Sequence, residues 1–535
     1  MSMPPLRVRS LALATAVLLG ALGPAAALAA TPKDMVVMAA QLDEFITLDP
    51  AEIYELVPTE YAANVYDRLV TIDPADPSQI VGSIAESWTV SADGKTFTFK
   101  IRQGLEFHSG NLLSAEDVAW SLQRVIKLNK GPAFILAEFG LTPENVEQRV
   151  KAVDANTVTL ETAKVYSPSF VLNCLASWVS SVVDKKLLLA NEKDGDLGNG
   201  WLKTHEAGSG PFKLVAWKAG ESVIVERNDA YWGKQPAIKR VVLRHVPEAA
   251  SQRLLIEKGD VDIARNLGPD DLKALAGNAD IRIRSVPQSA IYYMGLNTRN
   301  PNLGKPEVQE AMKWLVDYRG IADNILKGTY EVHQAFLPKG FLGAIDEQPY
   351  RLDVDKARAL LEKAGLKDGF SVTIDVRNAY PSPEIAQALQ ANMAKAGIKL
   401  EIIPGDNKQT LTKYRSRTHD IYLGQWAPDY MDPHSNAQGF AWNPDNSDSS
   451  KFKLLAWRNS WDIPKLTQES EAALAEQDTA KRTALYQSMQ REFQKNSPFV
   501  IMFQRVQPLA ERKGVAGFVF GPINDMVYYS GITKQ

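Results

Sequence analysis

Short runs in which apolar and polar residues alternate are prominent in the first fifth of the chain. Residues 84–90 and 96–101 are two such runs, and the five residues between them contain an Asp-Gly step that favours a tight turn. This pattern predicts a β-hairpin. Before it, residues 35–39 predict a short strand, and apolar residues at helical spacing predict a helix from Glu60 to Leu69.

Helix and strand patterns follow one another through the rest of the chain. A helix is predicted after Ser114, which precedes two acidic residues and is suited to cap a helix N-terminus. From about Tyr292 onward the alternation becomes regular, with a helix over Glu384–Ala396 and strands over Lys399–Ile403 and Phe499–Phe503. This alternation indicates an α/β lobe that is separate from the first part of the chain.

One further predicted strand, Asp420–Leu423, leads into a turn rich in aromatic and proline residues. Trp426, Asp429 and Tyr430 lie in this turn, and strand ends are where clefts open in α/β folds. A carboxylate between two large aromatic side chains, on backbone stiffened by prolines, suits a cationic head group. The alternative interpretation places Trp426 and Tyr430 in the core, with Asp429 capping a turn.

The N-terminus has the pattern of a secretory signal peptide. Arg7 and Arg9 precede the apolar run Leu11–Leu22 and a small-residue end, so cleavage is expected after about Ala29. The apolar run is short for a membrane span, and no later segment offers the ~20 apolar residues that a transmembrane helix needs. Because no cysteine stands directly after the expected cleavage site to carry a lipid anchor, we expect a soluble protein of the periplasm.

Charge and cysteine content narrow the classes of partner. The formal net charge is −3 and becomes −5 when the two arginines of the signal peptide are removed. No basic block is present, so nucleic acid is not expected as a partner. The one cysteine, Cys174, cannot form an intrachain disulfide and is expected to be a buried apolar residue. A chain of this length can be held together by apolar burial in two or three domains.

Signatures of catalysis and of metal binding are weak in the sequence. The six histidines form no pair at a spacing of three or four residues, and no G-x-S-x-G motif occurs. Ser450 and Lys453 satisfy S-x-x-K, but a match this short arises by chance in a long chain. We therefore predict no catalytic residue, no metal site and no cofactor.

Several short motifs follow one another along the chain. They are Tyr66-Asp67-Arg68-Leu69-Val70, Ala85-Glu86-Ser87-Trp88, residues 93–104, Phe107-His108-Ser109-Gly110, residues 208–214, residues 228–233 and Gly295-Leu296-Asn297-Thr298. In this order they resemble the family 5 solute-binding proteins, the dipeptide, oligopeptide and nickel-type receptors of ABC importers. The resemblance covers essentially the whole mature chain.

The resemblance implies an α/β fold of the periplasmic-binding-protein type II-like class, with two hinged lobes and an inserted subdomain in the first lobe. The implied parts are a signal peptide at 1–29, lobe I core at 30–72, the inserted subdomain at 73–206, lobe I core at 207–291, lobe II at 292–507 and lobe I core at 508–535. The chain is expected to cross between the lobes near Tyr292 and Gln507.

The resemblance also implies roles for individual side chains. In the oligopeptide and dipeptide receptors a W-x-x-D element places its aspartate on the α-ammonium group of the peptide. Trp426 and Asp429 match this spacing, and Tyr430 extends the match. Arg377 falls within about one position of the arginine that dipeptide receptors use, which makes it a candidate for the ligand carboxylate. A solvent-exposed arginine is the alternative for Arg377.

Residues 56–60 match in position a stretch whose backbone pairs with an extended peptide in the oligopeptide receptors. The resemblance therefore implies a strand-addition contact at Val57 and Thr59. The alternative is an ordinary lead-in to the following helix.

These patterns predict a periplasmic substrate-binding protein of an ABC importer, not an enzyme. It is expected to capture di- or oligopeptides between its two lobes, to deliver them to the membrane permease subunits and to act as a monomer. Two alternatives stay open. One is the same receptor role for an opine, an oligosaccharide or a metal chelate, and the other is a periplasmic hydrolase.

Overall fold

A computed structural model describes residues 31–77 and 79–535 of the chain. The signal peptide predicted for residues 1–29 therefore lies outside the described residues. Strands and helices alternate in a mixed α/β arrangement. The strands are β1 (Met35–Ala40), β2 (Val70–Ile72), β3 (Ile80–Gly82), β4 (Ala85–Val90), β5 (Thr96–Ile101), β6 (Val150–Asp154), β7 (Thr157–Glu161), β8 (Phe212–Lys218), β9 (Ser222–Arg227), β10 (Arg240–His245), β11 (Ile263–Ala264), β12 (Ile281–Leu296), β13 (Tyr330–Val332), β14 (Phe370–Arg377), β15 (Ile398–Gly405), β16 (Ile421–Trp426), β17 (Phe499–Arg512), β18 (Val515–Ala516), β19 (Val519–Phe520), β20 (Val527–Tyr528) and β21 (Thr533–Lys534).

Helices lie between most of these strands in the sequence. No helix within the described ranges is both long and apolar enough to cross a membrane. The α-helices are α1 (Leu56–Val65), α2 (Ala115–Leu128), α3 (Phe134–Ala137), α4 (Val146–Arg149), α5 (Pro168–Leu175), α6 (Lys185–Ala190), α7 (Asn199–Leu202), α8 (Ala249–Lys258), α9 (Pro269–Leu275), α10 (Pro306–Trp314), α11 (Tyr318–Gly320), α12 (Val354–Lys363), α13 (Ser382–Lys395), α14 (Asn407–Arg415), α15 (Pro433–Phe440), α16 (Leu455–Arg458), α17 (Pro464–Ala475) and α18 (Thr479–Asn496).

An 11-stranded mixed sheet connects the two halves of the chain. Its strand order is β15-β14-β16-β12-β17-β11-β1-β10-β9-β8, and β13 pairs with β17 off this path. The antiparallel strands β12 and β17, of 16 and 14 residues, are the long members of this sheet. The strand predicted over Phe499–Phe503 is the first part of β17, which continues to Arg512.

The pairing of β12 with β17 is interrupted near the middle of both strands. Its register shifts between Pro287 and Ile291. Before the shift, β12 lies beside the part of β17 that also pairs with β11, and after it β12 lies between β17 and β16. Both predicted crossings fall on these strands, with Tyr292 on β12 and Gln507 on β17. The lobe boundaries themselves stay a prediction.

Several elements predicted from local pattern are confirmed. The hairpin is formed by β4 and β5, which pair antiparallel within a separate four-stranded sheet, β4-β5-β7-β6. Helix α2 begins after Ser114, whose hydroxyl and backbone N–H both bond to the Asp117 carboxylate in a capping box. The helix predicted at 384–396 is α13, and the strand predicted at 399–403 is β15.

The first helix differs from its prediction, because α1 begins and ends four residues before the predicted span Glu60–Leu69. Pro58 fits in the first turn, where its missing N–H is not needed. After the helix, Tyr66 adopts an extended conformation, and the Asp67 carboxylate accepts a hydrogen bond from the distant Ser209 hydroxyl at 3.0 Å. Tertiary contacts thus end a helix that local spacing alone would continue.

Apolar packing extends across both halves of the chain. The largest core contains Cys174, which is fully buried as predicted, together with Tyr430 and Phe493 from the later half. A second core contains residues of β12, β14 and β16, such as Met294 and Ile374. The turn after β16 therefore lies where the two cores approach each other.

A buried ion pair fixes this turn. Asp432 and Arg482 are both fully buried, and Oδ1 of Asp432 lies 2.7 Å from Nη2 of Arg482. Arg482 on α18 also donates to the carbonyl of Ala473 at 2.9 Å and to Oγ of Ser169 at 2.8 Å. The same carboxylate accepts the backbone N–H of His434 at 2.9 Å. The pair therefore has the additional hydrogen bonds that buried charges need, and it joins three separate parts of the chain.

We expect Asp432→Asn to destabilise the fold strongly, because it leaves the Arg482 guanidinium buried without a countercharge. The free energy of unfolding, measured by urea titration, should fall by about 3–5 kcal/mol. As a control, Asp229→Asn removes a carboxylate from the exposed pair with Arg227 and should cost less than about 1 kcal/mol. Equal losses in the two variants would contradict the structural importance of the buried pair.

Candidate ligand-binding cleft

Two adjoining cavities open at the end of β16. The main cavity has a volume of about 570 Å³ and the small cavity about 100 Å³, and Tyr54 and Asp429 line both. Other lining residues are Glu138, Arg377, Arg415, Trp426 and Arg458 in the main cavity, and Thr59, Gln288 and Arg505 in the small cavity. A ligand in this cleft would therefore contact residues from both halves of the chain.

The Asp429 carboxylate lies at the junction of the two cavities. Its position is fixed through the backbone, since its N–H donates to Oγ of Ser435 at 2.9 Å in the first turn of α15. Within the described part of the chain, no hydrogen bond or ion pair reaches the carboxylate itself, and burial raises the pKa of Asp429 to about 7. A partly buried carboxylate without a partner is suited to a cationic ligand group.

A second carboxylate, Glu138, lines the main cavity directly after α3. The Tyr430 hydroxyl donates to Oε2 of Glu138 at 3.3 Å. Burial raises the pKa of Glu138 to about 8; the hydrogen bond from Tyr430 opposes this rise, and the charge of Asp429 adds to it. The cleft therefore holds two carboxylates, Glu138 from the first half of the chain and Asp429 from the second, that favour a positive charge between them.

The two aromatic residues of the turn have different positions. Trp426 is half-buried, lines the main cavity and donates from its indole N–H to Oδ1 of Asn436 at 3.1 Å. Tyr430 is only 1% exposed, lines neither cavity and packs its ring against Phe170. The predicted ligand contact of Tyr430 is thus corrected: its side chain belongs to the core, where it orients Glu138.

Arg377 lies at the end of β14, on the wall of the main cavity. Its Nε donates to Oδ1 of Asn407 at 2.7 Å, which leaves the other guanidinium N–H groups available. The structure thus answers a question that the sequence left open, because Arg377 faces the cleft. Its predicted contact with a ligand carboxylate stays a prediction.

Comparison with known proteins identifies the family. Residues 79–448 match the family described as "Bacterial extracellular solute-binding proteins, family 5 Middle". The chain belongs to this family. The resemblance predicted from short motifs is confirmed, and with it the general role of an extracellular solute-binding protein.

Individual relatives agree with this assignment. The chain is 30% identical over 505 residues to the probable D,D-dipeptide-binding periplasmic protein DdpA of Escherichia coli K12, covering 94% of each protein. Among solved structures, HbpA2 of Haemophilus parasuis superposes with a TM-score of 0.81 at 24% identity, covering 94% of this chain and 100% of HbpA2. A dipeptide-binding protein of Pseudoalteromonas superposes with a TM-score of 0.74 at 21% identity, again covering 94% and 100%. The predicted fold class is confirmed, and the periplasmic location agrees with the name of the E. coli relative.

The predicted strand-addition contact at residues 56–60 is wrong in its geometry. These residues form the beginning of α1, so their backbone is helical and offers no extended edge. Thr59 nevertheless lines the small cavity. Val57 lines a third cavity of about 240 Å³, which shares Gln288 and Arg505 with the small one. Any ligand contact of Val57 and Thr59 would therefore come from a helix N-terminus.

Glu138, Arg415 and Arg458 are among the charged residues of the cleft that sequence reasoning missed. Glu138 follows an apolar run, Phe134–Ala137, and a carboxylate at the end of such a run was the only local sign of its position. Arg415 and Arg458 end the helices α14 and α16, where a basic residue is ordinary. No motif distinguished these arginines from surface residues.

The side chains of Ser450 and Lys453, which form the S-x-x-K match, have different partners. The Ser450 hydroxyl donates to the carbonyl of Phe452 at 3.2 Å, and Nζ of Lys453 lies 5.1 Å from the centre of the Trp457 ring. No hydrogen bond joins Ser450 to Lys453 in the described chain. Over the same residues, no group of three or more histidine, cysteine, aspartate or glutamate side chains is arranged to hold a metal ion.

Proposed function

We propose that this protein binds di- or oligopeptides in the cleft and delivers them to the permease of an ABC importer, without catalysis. The observation that carries the proposal is the unpartnered Asp429 carboxylate at the junction of the cavities. The main cavity also has a suitable size, since small-molecule sites occupy about 300–1,000 Å³. The printed name of the E. coli relative, a D,D-dipeptide-binding protein, supports the same ligand class.

The proposed binding mode assigns one charged group of the ligand to each kind of side chain. Asp429 receives the α-ammonium group, and Glu138 adds a second negative charge from the opposite wall. Arg377 receives the α-carboxylate through its free N–H groups, while Trp426 and Tyr54 provide apolar walls. The ligand thus supplies the countercharges that Asp429 and Arg377 lack among the described side chains.

We also propose that the two lobes move about the break in β12 and β17. The proposed first lobe consists of residues 30–72, 207–291 and 508–535 and carries the insert 73–206. The proposed second lobe consists of residues 292–507. Contacts between the insert and the second lobe support a closed arrangement here: Ser167 N–H donates to the Leu474 carbonyl at 2.7 Å, and Gln477 donates to the Tyr166 carbonyl at 2.8 Å. A ligand that contacts both lobes stabilises closure.

The first test of this function is the variant Asp429→Asn. It keeps the size of the side chain and removes the charge, so affinity for a free-amine dipeptide should fall by about 2–5 kcal/mol, because the ligand cation is left unpaired. We would titrate Ala-Ala in its L,L and D,D forms, each free and N-acetylated, by calorimetry. Wild type should bind a free form and reject its acetylated counterpart, and the variant should discriminate much less.

A matched control is Asp462→Asn, an exposed position of the same residue type away from both cavities, which should bind like wild type. Equal binding of free and acetylated peptide by wild type would remove the amine anchor and favour an opine, oligosaccharide or metal chelate. Peptide recovered after the titration should be intact. Hydrolysis that is lost in Ser450→Ala would favour the hydrolase instead.

Affinity should depend on pH in a direction set by Asp429. Its pKa is raised to about 7 in the free cleft, and pairing with an ammonium group should lower it, so binding below pH 7 requires loss of a proton. Affinity should rise from pH 5 to 7 by up to about tenfold per unit. It should fall above about pH 8 as the peptide amine loses its proton. Glu138, with a pKa raised to about 8, should extend the rise in affinity toward pH 8.

Calorimetry of wild type and Asp429→Asn between pH 5 and 8 measures this dependence. The variant should show a shallower rise below pH 7 than wild type, because only the titration of Glu138 remains. A wild-type affinity that is constant or decreasing between pH 5 and 7 would contradict the proposed role of Asp429.

Closure should be visible in solution. Adding saturating dipeptide should lower the radius of gyration measured by small-angle X-ray scattering, because the closed lobes are more compact. Asp429→Asn at the same peptide concentration should show a much smaller change. An unchanged radius of gyration for fully liganded wild type would contradict the hinged clamp.

A further inference from the structure

The main cavity carries an unusual excess of positive charge. Five basic side chains line it, and they come from three separate segments of the second half of the chain: Arg377, Arg415, and Lys451, Lys453 and Arg458 within residues 451–458. The acidic residues on the same walls are Glu138 and Asp429. Even with both carboxylates ionised, the lining residues have a net charge of +3.

None of these five cations has an acidic partner in the described chain. Their hydrogen bonds are neutral, from Nε of Arg377 to Asn407 and from Nε of Arg458 to the carbonyl of Lys453 at 2.9 Å. Arginines that are buried in the described chain differ from these half-buried or exposed cations, because each of them pairs with a carboxylate. These pairs are Arg68–Asp525, Arg124–Asp49, Arg265–Glu60, Arg417–Asp448 and Arg482–Asp432.

Three of the cations converge on one point of the wall. Tyr422 stacks on Tyr414 with ring centres 4.0 Å apart and lines the main cavity. Burial raises the pKa of Tyr422, and the guanidinium groups of Arg377, Arg458 and Arg415 each oppose this rise. The three arginines are therefore close enough to act on a single hydroxyl group.

Two of these arginines, Arg415 and Arg458, also act on a residue from the first half of the chain. The pKa of Tyr54, in the first half of the chain, is raised by burial and by the charge of Asp429, while Arg415 and Arg458 oppose the rise. Tyr54 thus lies within electrostatic range of both the Asp429 carboxylate and these two arginines. A ligand extending from Asp429 past Tyr54 would place its far end among the arginines.

Helix stabilisation does not account for this cluster. Arg415 ends α14 and Arg458 ends α16, where a cation interacts favourably with the helix dipole. However, α14 already has Lys413 in its last turn, paired with Asp375 at 2.8 Å. Arg377 lies at the end of a strand, which has no comparable dipole. Interaction with helix ends therefore does not explain why the three arginines line the same cavity.

A peptide with uncharged side chains would leave part of the positive charge of the main cavity without a countercharge. Its α-ammonium pairs with Asp429, and its α-carboxylate is satisfied by one arginine fork, since guanidinium binds carboxylate through two N–H groups. At least two arginines would then face the ligand without a countercharge. We propose that the ligand is an acidic peptide, with a side-chain carboxylate near its C-terminal end that binds Arg415 and Arg458. This inference rests on the proposed function and deepens it.

The test compares two dipeptides that differ by one charge. Alanyl-glutamate and alanyl-glutamine have side chains of nearly the same shape, and both would be titrated by calorimetry in their L,L and D,D forms at about pH 7.5. A hydrogen bond to a charged group contributes more free energy than a hydrogen bond between neutral groups, and the difference corresponds to about tenfold in affinity. Wild type should therefore bind alanyl-glutamate at least about tenfold more tightly, and added salt should reduce this preference.

Variants test which arginines produce the preference for alanyl-glutamate. Arg415→Gln and the double variant Arg415→Gln, Arg458→Gln should lower the ratio of the two affinities toward one. Arg415 is exposed and its side chain makes no hydrogen bond in the described chain, so its single replacement should fold normally. The control Arg319→Gln removes an exposed arginine outside the cavity and should keep the wild-type ratio.

The outcomes separate the inference from the function on which it rests. Equal binding of the two dipeptides by wild type would overturn the acidic preference and leave peptide binding intact. A preference for alanyl-glutamate that persists in the double variant would overturn the assignment to Arg415 and Arg458. Failure of both dipeptides to bind would overturn the proposed function together with this inference.

Discussion

The ion pair between Asp432 and Arg482 holds the part of the fold on which the cleft depends. Both charges are fully buried, so they are tolerable only when they meet each other and additional hydrogen bonds. Asp432 lies three residues after Asp429, and Arg482 also donates to Ser169 in the first half of the chain. The same pair thus fixes the turn that carries one carboxylate and draws it toward the segment that carries Glu138.

The carboxylates and arginines that line the cleft are not paired with each other. Asp429 and Glu138 have raised pKa values because burial removes water without supplying cations, and the arginines that line the main cavity have no carboxylate partner in the described chain. The carboxylates and the arginines come from different segments of the chain. A zwitterionic ligand with additional negative charge would satisfy both kinds of group at once, which gives the protein a means of selecting charge and orientation together.

Strands β12 and β17 provide the frame for this selection. They connect the two halves of the sheet, and the shift in their pairing lies beside Gln288 and Arg505, which line the small cavity. If the proposed lobes move about this break, the distance between Glu138 and Asp429 changes with the angle between the lobes. Ligand affinity and lobe closure are therefore expected to be coupled through the same few residues.

The sequence by itself determined the elements whose signals are local, and the family. The hairpin, the Ser114 cap and the W-x-x-D spacing that singled out Asp429 were all legible because turn, cap and motif residues act over a few positions. Only the tertiary structure placed Tyr430 behind Glu138 and brought Arg415 and Arg458 to the cavity. Those contacts join residues tens to hundreds of positions apart, and packing rather than local preference decides which side of a helix or turn faces the ligand.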